Sequence, residues 1–436
     1  MSEYATIEIK GYPLCSFRNI LDKKICGFFF SDNDLTIIPS FKYDPEDPDE
    51  APIDRYVYTT TVSKARDRLD AMGYSMSLFE KVFTTKAALC VDYQSFLASL
   101  RIKYDDDDYD ELVRDRFSKN VTFKKWINST KKIVEYETIH GEISERSIDK
   151  EIKLSTECDK IIYRSKKNDN DGFYYGLNTD IVDEGLCFRV VLECFDSDDI
   201  MTLDFTYLQL WDDISKSVGI EEELEKTIVL VEGSSDKSIL EFGMKHLFPH
   251  VDDIFHFMDF EFSGTKREGS TSALSNNVKI FVASKLKAKI IAIYDNDTAG
   301  QFARKKLVDG MRLPDNIRVL NYPNLDCFGN YPTYSPNKAI VPDDINGRAC
   351  SIELYLPDEC ISDGSEFYCI EWESMQTMKL SSGVNKEYQG VISNKDIIKK
   401  NVFDLIKRID SKKDVFEPEK WNRLNELLKT IVFAFR

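Results

Sequence analysis

The sequence predicts an α/β protein: an N-terminal α+β domain followed by a domain with a mainly parallel sheet flanked by helices. Three observations lead there. From Lys226 onward, four short apolar runs alternate with amphipathic stretches, the order that crossover connections impose on parallel strands. Before that point, strand-like alternation and helical periodicity occur without regular succession. Between the two patterns stands an acidic segment, EEELE at 221–225. These features place domains at 1–220 and 226–375, with a helical extension over 376–436 completing the second.

At 436 residues with 42% hydrophobic side chains, the chain has room for two or three cores and is no disordered polymer. No apolar run approaches the ~20 residues of a membrane-spanning helix, so no membrane partner is expected. The start, MSEYATIEIKGYPL, lacks a basic region followed by an apolar one. Ten cysteines form no C-x-x-C pair, and Cys350, Cys360 and Cys369 are too widely spaced for a zinc ribbon. A reduced, cytoplasmic setting is the expectation.

The net charge is −18, from 58 basic and 76 acidic residues. Twelve of the acids lie in two runs, 43–54 and 104–111, read as solvated loops. General charge therefore cannot hold a nucleic acid, and any such contact needs a local basic surface.

In the first half, TIEIKGYPL alternates like a strand ending in a Gly-Tyr-Pro turn, and RYVYTTTV (55–62) reads the same way. From Ser63, Ala65, Leu69, Met72, Met76, Phe79 and Phe83 recur at helical spacing, with Gly73 as an interruption. Residues 112–134 read as a helix, and 185–211 as two strands joined at DSDD. In the second half, strands are expected at 227–233, 252–261, 288–297 and 317–323. The helices between them fall at 235–247, 272–287 and 298–310, with two more at 395–410 and 418–433.

Ligands of open α/β sheets bind beyond the carboxyl ends of the strands. That edge is acidic here: Glu232 follows the first strand, Asp236 opens the next helix, and Asp295 and Asp297 end the most apolar strand. Alternation puts Asp295 and Asp297 on one side of the chain. Carboxylates gathered this way repel unless a cation joins them, and oxygen donors without His or Cys suit Mg²⁺ or Mn²⁺. Helix capping explains Asp236 or one of the Asp295–Asp297 pair, but not Glu232.

VLVEGSSD (229–236) and AIYDNDTAG (292–300) resemble the two motifs of the Toprim domain, a Rossmann-like fold shared by topoisomerases, primases and the OLD family of nucleases. SIELYLPDE (351–359) resembles a later acidic element of OLD-like domains. The N-terminal half is similar to the N-terminal domain of HEPN/Toprim-associated bacterial proteins. The resemblance implies a metal-dependent nuclease cutting DNA or RNA, used in defence against phage, with Mg²⁺ or Mn²⁺ as cofactor. It implies Glu232, Asp236, Asp295, Asp297 and Glu353 as metal ligands, Glu232 also as general base, and a late lysine, Lys395 or Lys386, near the phosphate. Arg304, Lys305, Lys306, Lys285, Lys287 and Lys289 are the expected phosphate-contacting surface.

Departures narrow the choice. GTKREGST (264–271) carries Ser270 where a P-loop needs lysine, so ATP hydrolysis is not expected within the chain. An ATPase or regulatory partner protein, or a homo-oligomer, fits that gap. His140 has no Arg at the spacing of a HEPN ribonuclease. A catalytically silent Toprim module that binds nucleic acid as an assembly partner is the alternative.

Overall fold

A computed structural model describes residues 4–42, 51–99, 117, 119–143, 152–167, 173–211, 225–259, 271–380 and 383–436. The chain forms two compact units, one within 1–224 and the other within 225–434. Most of the two acidic runs, and the 264–270 part of the P-loop-like segment, lie outside the described residues. Among the described residues, no helix is long and apolar enough to cross a membrane.

The first unit is built on a five-stranded antiparallel sheet. Strands β1 (Tyr4–Ile9) and β2 (Tyr12–Arg18) form a hairpin. Its two turn residues, Lys10 and Gly11, have φ of 52° and 76°, the left-handed pair that a two-residue hairpin requires. The turn thus falls before Tyr12 and Pro13, which belong to β2 rather than to the expected Gly-Tyr-Pro corner. Helix α1 (Lys23–Phe29), β3 (Leu35–Phe41) and β4 (Ile53–Thr61) follow. Helices α2 (Val62–Ala71) and α3 (Met76–Cys90) are separated at Gly73, whose φ of 84° ends the first. Short α4 (Tyr93–Ser99) precedes α5 (Phe123–His140), which carries the periodic stretch expected at 112–134 beyond its forecast end.

Helix α6 (Glu157–Lys167) and the two-residue strands β5 (Phe173–Tyr174) and β6 (Leu177–Asn178) lead to the main departure. Residues 185–211 are not two strands. They form α7 (Glu184–Leu192), β7 (Ile200–Asp204) and α8 (Thr206–Trp211). Every residue from Gly185 to Leu192 is buried, so the helix has no polar face to reveal its period, and it reads like a buried strand. Its start is set by Asp183, whose carboxylate accepts the Gly185 N–H at 3.0 Å.

The second unit opens with β8 (Thr227–Leu230), α9 (Ser234–Leu247), β9 (Phe255–Met258), α10 (Thr271–Ser284) and β10 (Ile290–Tyr294). After the two-residue β11 (Asn296–Asp297) come α11 (Thr298–Gly310) and β12 (Ile317–Asn321). The sheet runs β12-β10-β8-β9 with every pairing parallel, as expected for apolar strands joined by helices. Leu274, Val278 and Leu307 of the helices pack on Leu230, Ala292, Tyr294 and Val319. Helix α10 stops three residues short of the expected 287, where Lys285 takes a φ of 54°.

The irregular region is more ordered than its Pro and Gly content suggested. Strands β13 (Tyr331–Tyr334), β14 (Ile340–Asp343), β16 (Ile370–Leu380) and β17 (Gly383–Ile392) make a second sheet in the order β14-β13-β16-β17. Between them, β15 (Ala349–Cys350) pairs antiparallel with β11. The expected helical extension over 376–436 is corrected accordingly: most of 376–392 is strand, and helix starts at α12 (Lys395–Asp410), followed by α13 (Asn422–Val432). Alternating polar residues such as Gln376, Thr377, Lys386 and Glu387 disguised the hairpin, because it is exposed along much of its length.

In the first unit Asp159 ties three segments together. Its carboxylate accepts Ser129 Oγ at 2.6 Å, Lys132 Nζ at 2.7 Å and the N–H groups of Ser155 and Thr156 at 2.8 and 3.1 Å. Burial alone would raise its pKa, but these donors outweigh burial and hold it below the usual carboxylate range. A lowered folded-state pKa gives stability that is complete above the unfolded value near ~4 and fades as pH falls through the folded one. Asp159→Asn is therefore expected to cost about 3 kcal/mol at pH 7, and the gap from wild type to narrow below about pH 3, read by urea melts.

Candidate functional site

The carboxyl edge of the parallel sheet carries the acids. Strand β8 runs through Val231 to Glu232, and Gly233 then caps α9 without any side-chain cap bond. Asp236 sits in the first turn of α9 and is 7% exposed. Capping by its side chain is thus not its role, although the helix dipole favours an acid there. Strand β10 delivers Asp295, whose backbone N–H donates to Glu232 Oε1 at 3.2 Å. That bond brings residues 63 apart in sequence to one rim.

Local chemistry fixes the Asp-Asn-Asp turn. The Asp295 carbonyl accepts Asn321 Nδ2 at 2.8 Å. Gly300 lies so close that a Cβ there would sit 2.2 Å from the same carbonyl oxygen, so no other residue fits without moving α11. Asn296, fully buried, turns away from its neighbours and pairs with Asn324 at 2.8 Å and Gln301 at 2.6 Å. Asp297 is the N-cap of α11, with Oδ1 accepting the Gly300 N–H at 2.7 Å and Oδ2 accepting Gln389 Nε2 at 2.7 Å.

Glu353 comes from a single 3₁₀ turn at Ile352–Tyr355 and is 1% exposed. Its carboxylate accepts Ser351 Oγ at 2.6 Å and faces Lys395 Nζ at 3.3 Å and Lys399 Nζ at 3.8 Å. Lys395 opens α12, and Lys399 stands one turn further along the same face.

The charges of this rim act on one another. Burial, then Asp297 and Asp236, push Glu232 up to about 8. Burial and Glu353 push Asp236 up to about 6, against the pull of Lys395 and Lys399. Asp295 lies well above the carboxylate range, from burial first and then Glu232, Asp236, Asp297 and Glu353. Burial raises Asp297 as well, opposed by its two hydrogen-bond donors. Lys395 moves up because its acidic neighbours outweigh its burial.

The five expected metal ligands do not form a ready cage. Among the described residues, no three His, Cys, Asp or Glu side chains are gathered as an ion would require. Two of the five are engaged elsewhere, Asp297 by Gly300 and Gln389, and Glu353 by two lysines and a hydroxyl. What invites a hard cation is a single oxygen of Asp295. Asp295 Oδ1 is buried with no hydrogen-bond partner, and the charges that act on Asp295 most strongly are the carboxylates Glu232, Asp236, Asp297 and Glu353, with Lys395 as an opposing cation. An uncompensated acceptor of that kind is costly in a protein interior unless something positive joins it.

The expected basic surface is divided. Lys285, Lys287 and Lys289 lie before β10, at the edge of the sheet opposite Asp295. Lys285 and Lys287 line a cavity of about 620 Å³ there, with Arg312 and Asp315. Arg304 spends its Nε on the Val319 carbonyl at 2.9 Å, which makes it a packing residue of α11. Lys305 and Lys306 are exposed on that helix, and Lys386 is exposed on β17. Only Lys395 among the predicted cations reaches the carboxylates. Sequence reading missed Lys399, Gln389, Ser351 and Asn321. The four-residue spacing of Lys395 and Lys399 was the one available signal, since Gln389 lies in a strand that was not foreseen.

Residues 1–210 match the family model of HEPN/Toprim N-terminal domain 1. The first unit is therefore of that type, consistent with a HEPN/Toprim-associated protein and with a function related to nucleic acid. No curated protein and no solved structure matches the chain.

Acids whose folded pKa is raised favour the fold below the unfolded value and lose that contribution as pH rises. In EDTA, Glu232→Gln is expected to be more stable than wild type by about 1–2 kcal/mol at pH 8, with the difference shrinking toward pH 4. Thermal melts across that range read it.

Proposed function

We propose that a chain bearing a HEPN/Toprim N-terminal domain carries, in its second unit, a Toprim-like nuclease that hydrolyses phosphodiester bonds of DNA or RNA with Mg²⁺ or Mn²⁺. The observation that carries the reading is Asp295 Oδ1, buried and unpartnered beside Glu232 at the carboxyl edge of a parallel sheet. Glu232 and Asp295, joined through the Asp295 N–H, are the residues that would hold the ion, with Asp236 adding its charge beside them. Such an ion polarises a phosphoryl oxygen and lowers the pKa of its bound water.

The chain's own groups have distinct parts. Lys395 and Lys399 present two ammonium groups at the rim, matched to Glu353, and give a phosphate positive charge to approach. Glu232 accepts the Asp295 N–H through Oε1, which leaves Oε2 to hold or release a proton near neutral pH. Asp297 orients the turn, held by its cap and by Gln389. A nuclease of this class suits a defence effector against foreign nucleic acid, acting in the cytoplasm with an ATPase or regulatory partner or as a homo-oligomer.

The silent-module reading also draws on an observation. Glu353 is already matched by lysines, and both Asp297 oxygens already accept hydrogen bonds from neutral amides, as in a site built to stay closed. Purified protein with Mg²⁺ or Mn²⁺, offered plasmid, single-stranded DNA and total tRNA, separates the two. Cutting is expected, with Glu232→Ala and Asp295→Ala each lowering it by about 100-fold or more. Unchanged cutting in Asp295→Ala overturns the assignment, and binding without cutting under every ion favours the silent module.

A further inference from the structure

The second sheet encloses a cleft of about 990 Å³ that the carboxylate site does not use. Three aromatic residues line it, Tyr334, Trp372 and Tyr388, together with the acids Asp343, Glu371 and Glu373 and the cation Lys338. Its position is set by the same backbone that frames the carboxylates. The Tyr388 carbonyl accepts Thr298 Oγ1 at 2.7 Å, and the next residue, Gln389, is the one that donates to Asp297. On the other wall, Arg348 forms a bridge with Asp297 through the backbone.

We propose that this cleft is a nucleobase subsite that takes an unpaired, amino-bearing base of the strand presented to the carboxylate rim. The inference rests on the nucleic-acid reading of that rim and adds the form of the substrate, a single strand.

The chemistry of the walls decides between a base and a phosphate. Arg348 lies over the aromatic floor, 4.2 Å from the Trp372 ring centroid. Its charge is already met by Asp343 at 3.3 Å, Glu387 at 3.4 Å and the Asp344 carbonyl at 2.9 Å. These contacts hold the guanidinium over the indole face. With Arg348 matched, Lys338 offsets only one of Glu371 and Glu373, so the lining keeps a net negative charge, which disfavours a phosphate. Carboxylates do accept hydrogen bonds from exocyclic amino groups, such as cytosine N4 and adenine N6, whereas thymine offers carbonyl oxygens at the corresponding edge. Tyr388, 46% exposed, supplies a ring face of the kind on which bases stack without regard to sequence. A base inside a duplex is stacked and paired, so only a single strand can place one here.

Anisotropy of labelled 15-nucleotide strands, with the full chain in EDTA, tests this without turnover. The strands are all-cytosine DNA, its RNA counterpart, all-thymine DNA and an abasic chain of equal charge. The cytosine strands, as DNA or RNA, are expected to bind about 5- to 100-fold more tightly than the abasic chain, with thymine weaker than cytosine. Tyr388→Ala is expected to remove most of that ratio, and Trp372→Phe, which keeps a ring, to preserve most of it. An abasic or thymine strand that binds as tightly as cytosine overturns the proposal, as does an unchanged ratio in Tyr388→Ala. Base-dependent binding by a protein that cuts nothing in Mg²⁺ upholds the cleft and defeats only the nuclease reading.

Discussion

The second unit is organised around a repulsion. Glu232, Asp236 and Asp295 come to one rim because β8 and β10 are parallel neighbours, so their carboxyl ends must coincide. The sheet's apolar packing, with Ile290 to Tyr294 fully buried, forces that meeting whatever the acids prefer. The cost shows in Asp295, held in the interior with an oxygen that nothing satisfies. Around this point the other polar contacts fall into place as restraints: Asn321 on the Asp295 carbonyl, Gln389 on Asp297, and two lysines on Glu353. Each damps part of the acidic field, and none donates a hydrogen bond to Asp295 Oδ1.

The core of this arrangement was legible in the sequence for a simple reason. Strands buried on both faces are read from apolar content alone, and an acid directly after such a strand can only stand at the sheet's edge. The motif pairs at 229–236 and 292–300 therefore located Glu232, Asp236, Asp295 and Asp297 before any coordinates. The same logic failed for α7, where burial on every side erased the periodicity that tells helix from strand. It failed again for the hairpin β16–β17, whose exposed faces carry no consistent apolar alternation. Because Gln389 and the aromatic cleft depend on that hairpin, neither was foreseen. Lys395 was named among the site residues, but its partner Glu353 could be placed beside it only by the fold.

The basic residues show a further limit of reading along the chain. Lys285, Lys287 and Lys289 are close in sequence to Asp295, yet a strand of five residues separates opposite edges of a sheet, roughly 17 Å at about 3.3 Å per residue. Charge proximity in sequence and charge proximity in space diverge most where a strand lies between. The lysines that do meet the acids come from a helix about 100 residues later, at the start of α12. An acidic chain thus gathers its few useful cations by topology instead of by local enrichment.

Strand β17 holds Gln389 to Asp297 and Gly390 to the Arg348 carbonyl, at 2.7 and 2.9 Å. Those two bonds sit near the root of a ribbon whose far described pair, Leu380 with Gly383, lies six or seven residues away along β17. A register shift between Trp372 and Met375 interrupts the pairing just before that root, so the two bonds fasten the acidic turn to the short, regular end of the ribbon. The aim of the Asp297 carboxylate is thus set by a strand residue 92 positions further along the chain, outside the parallel sheet that presents it.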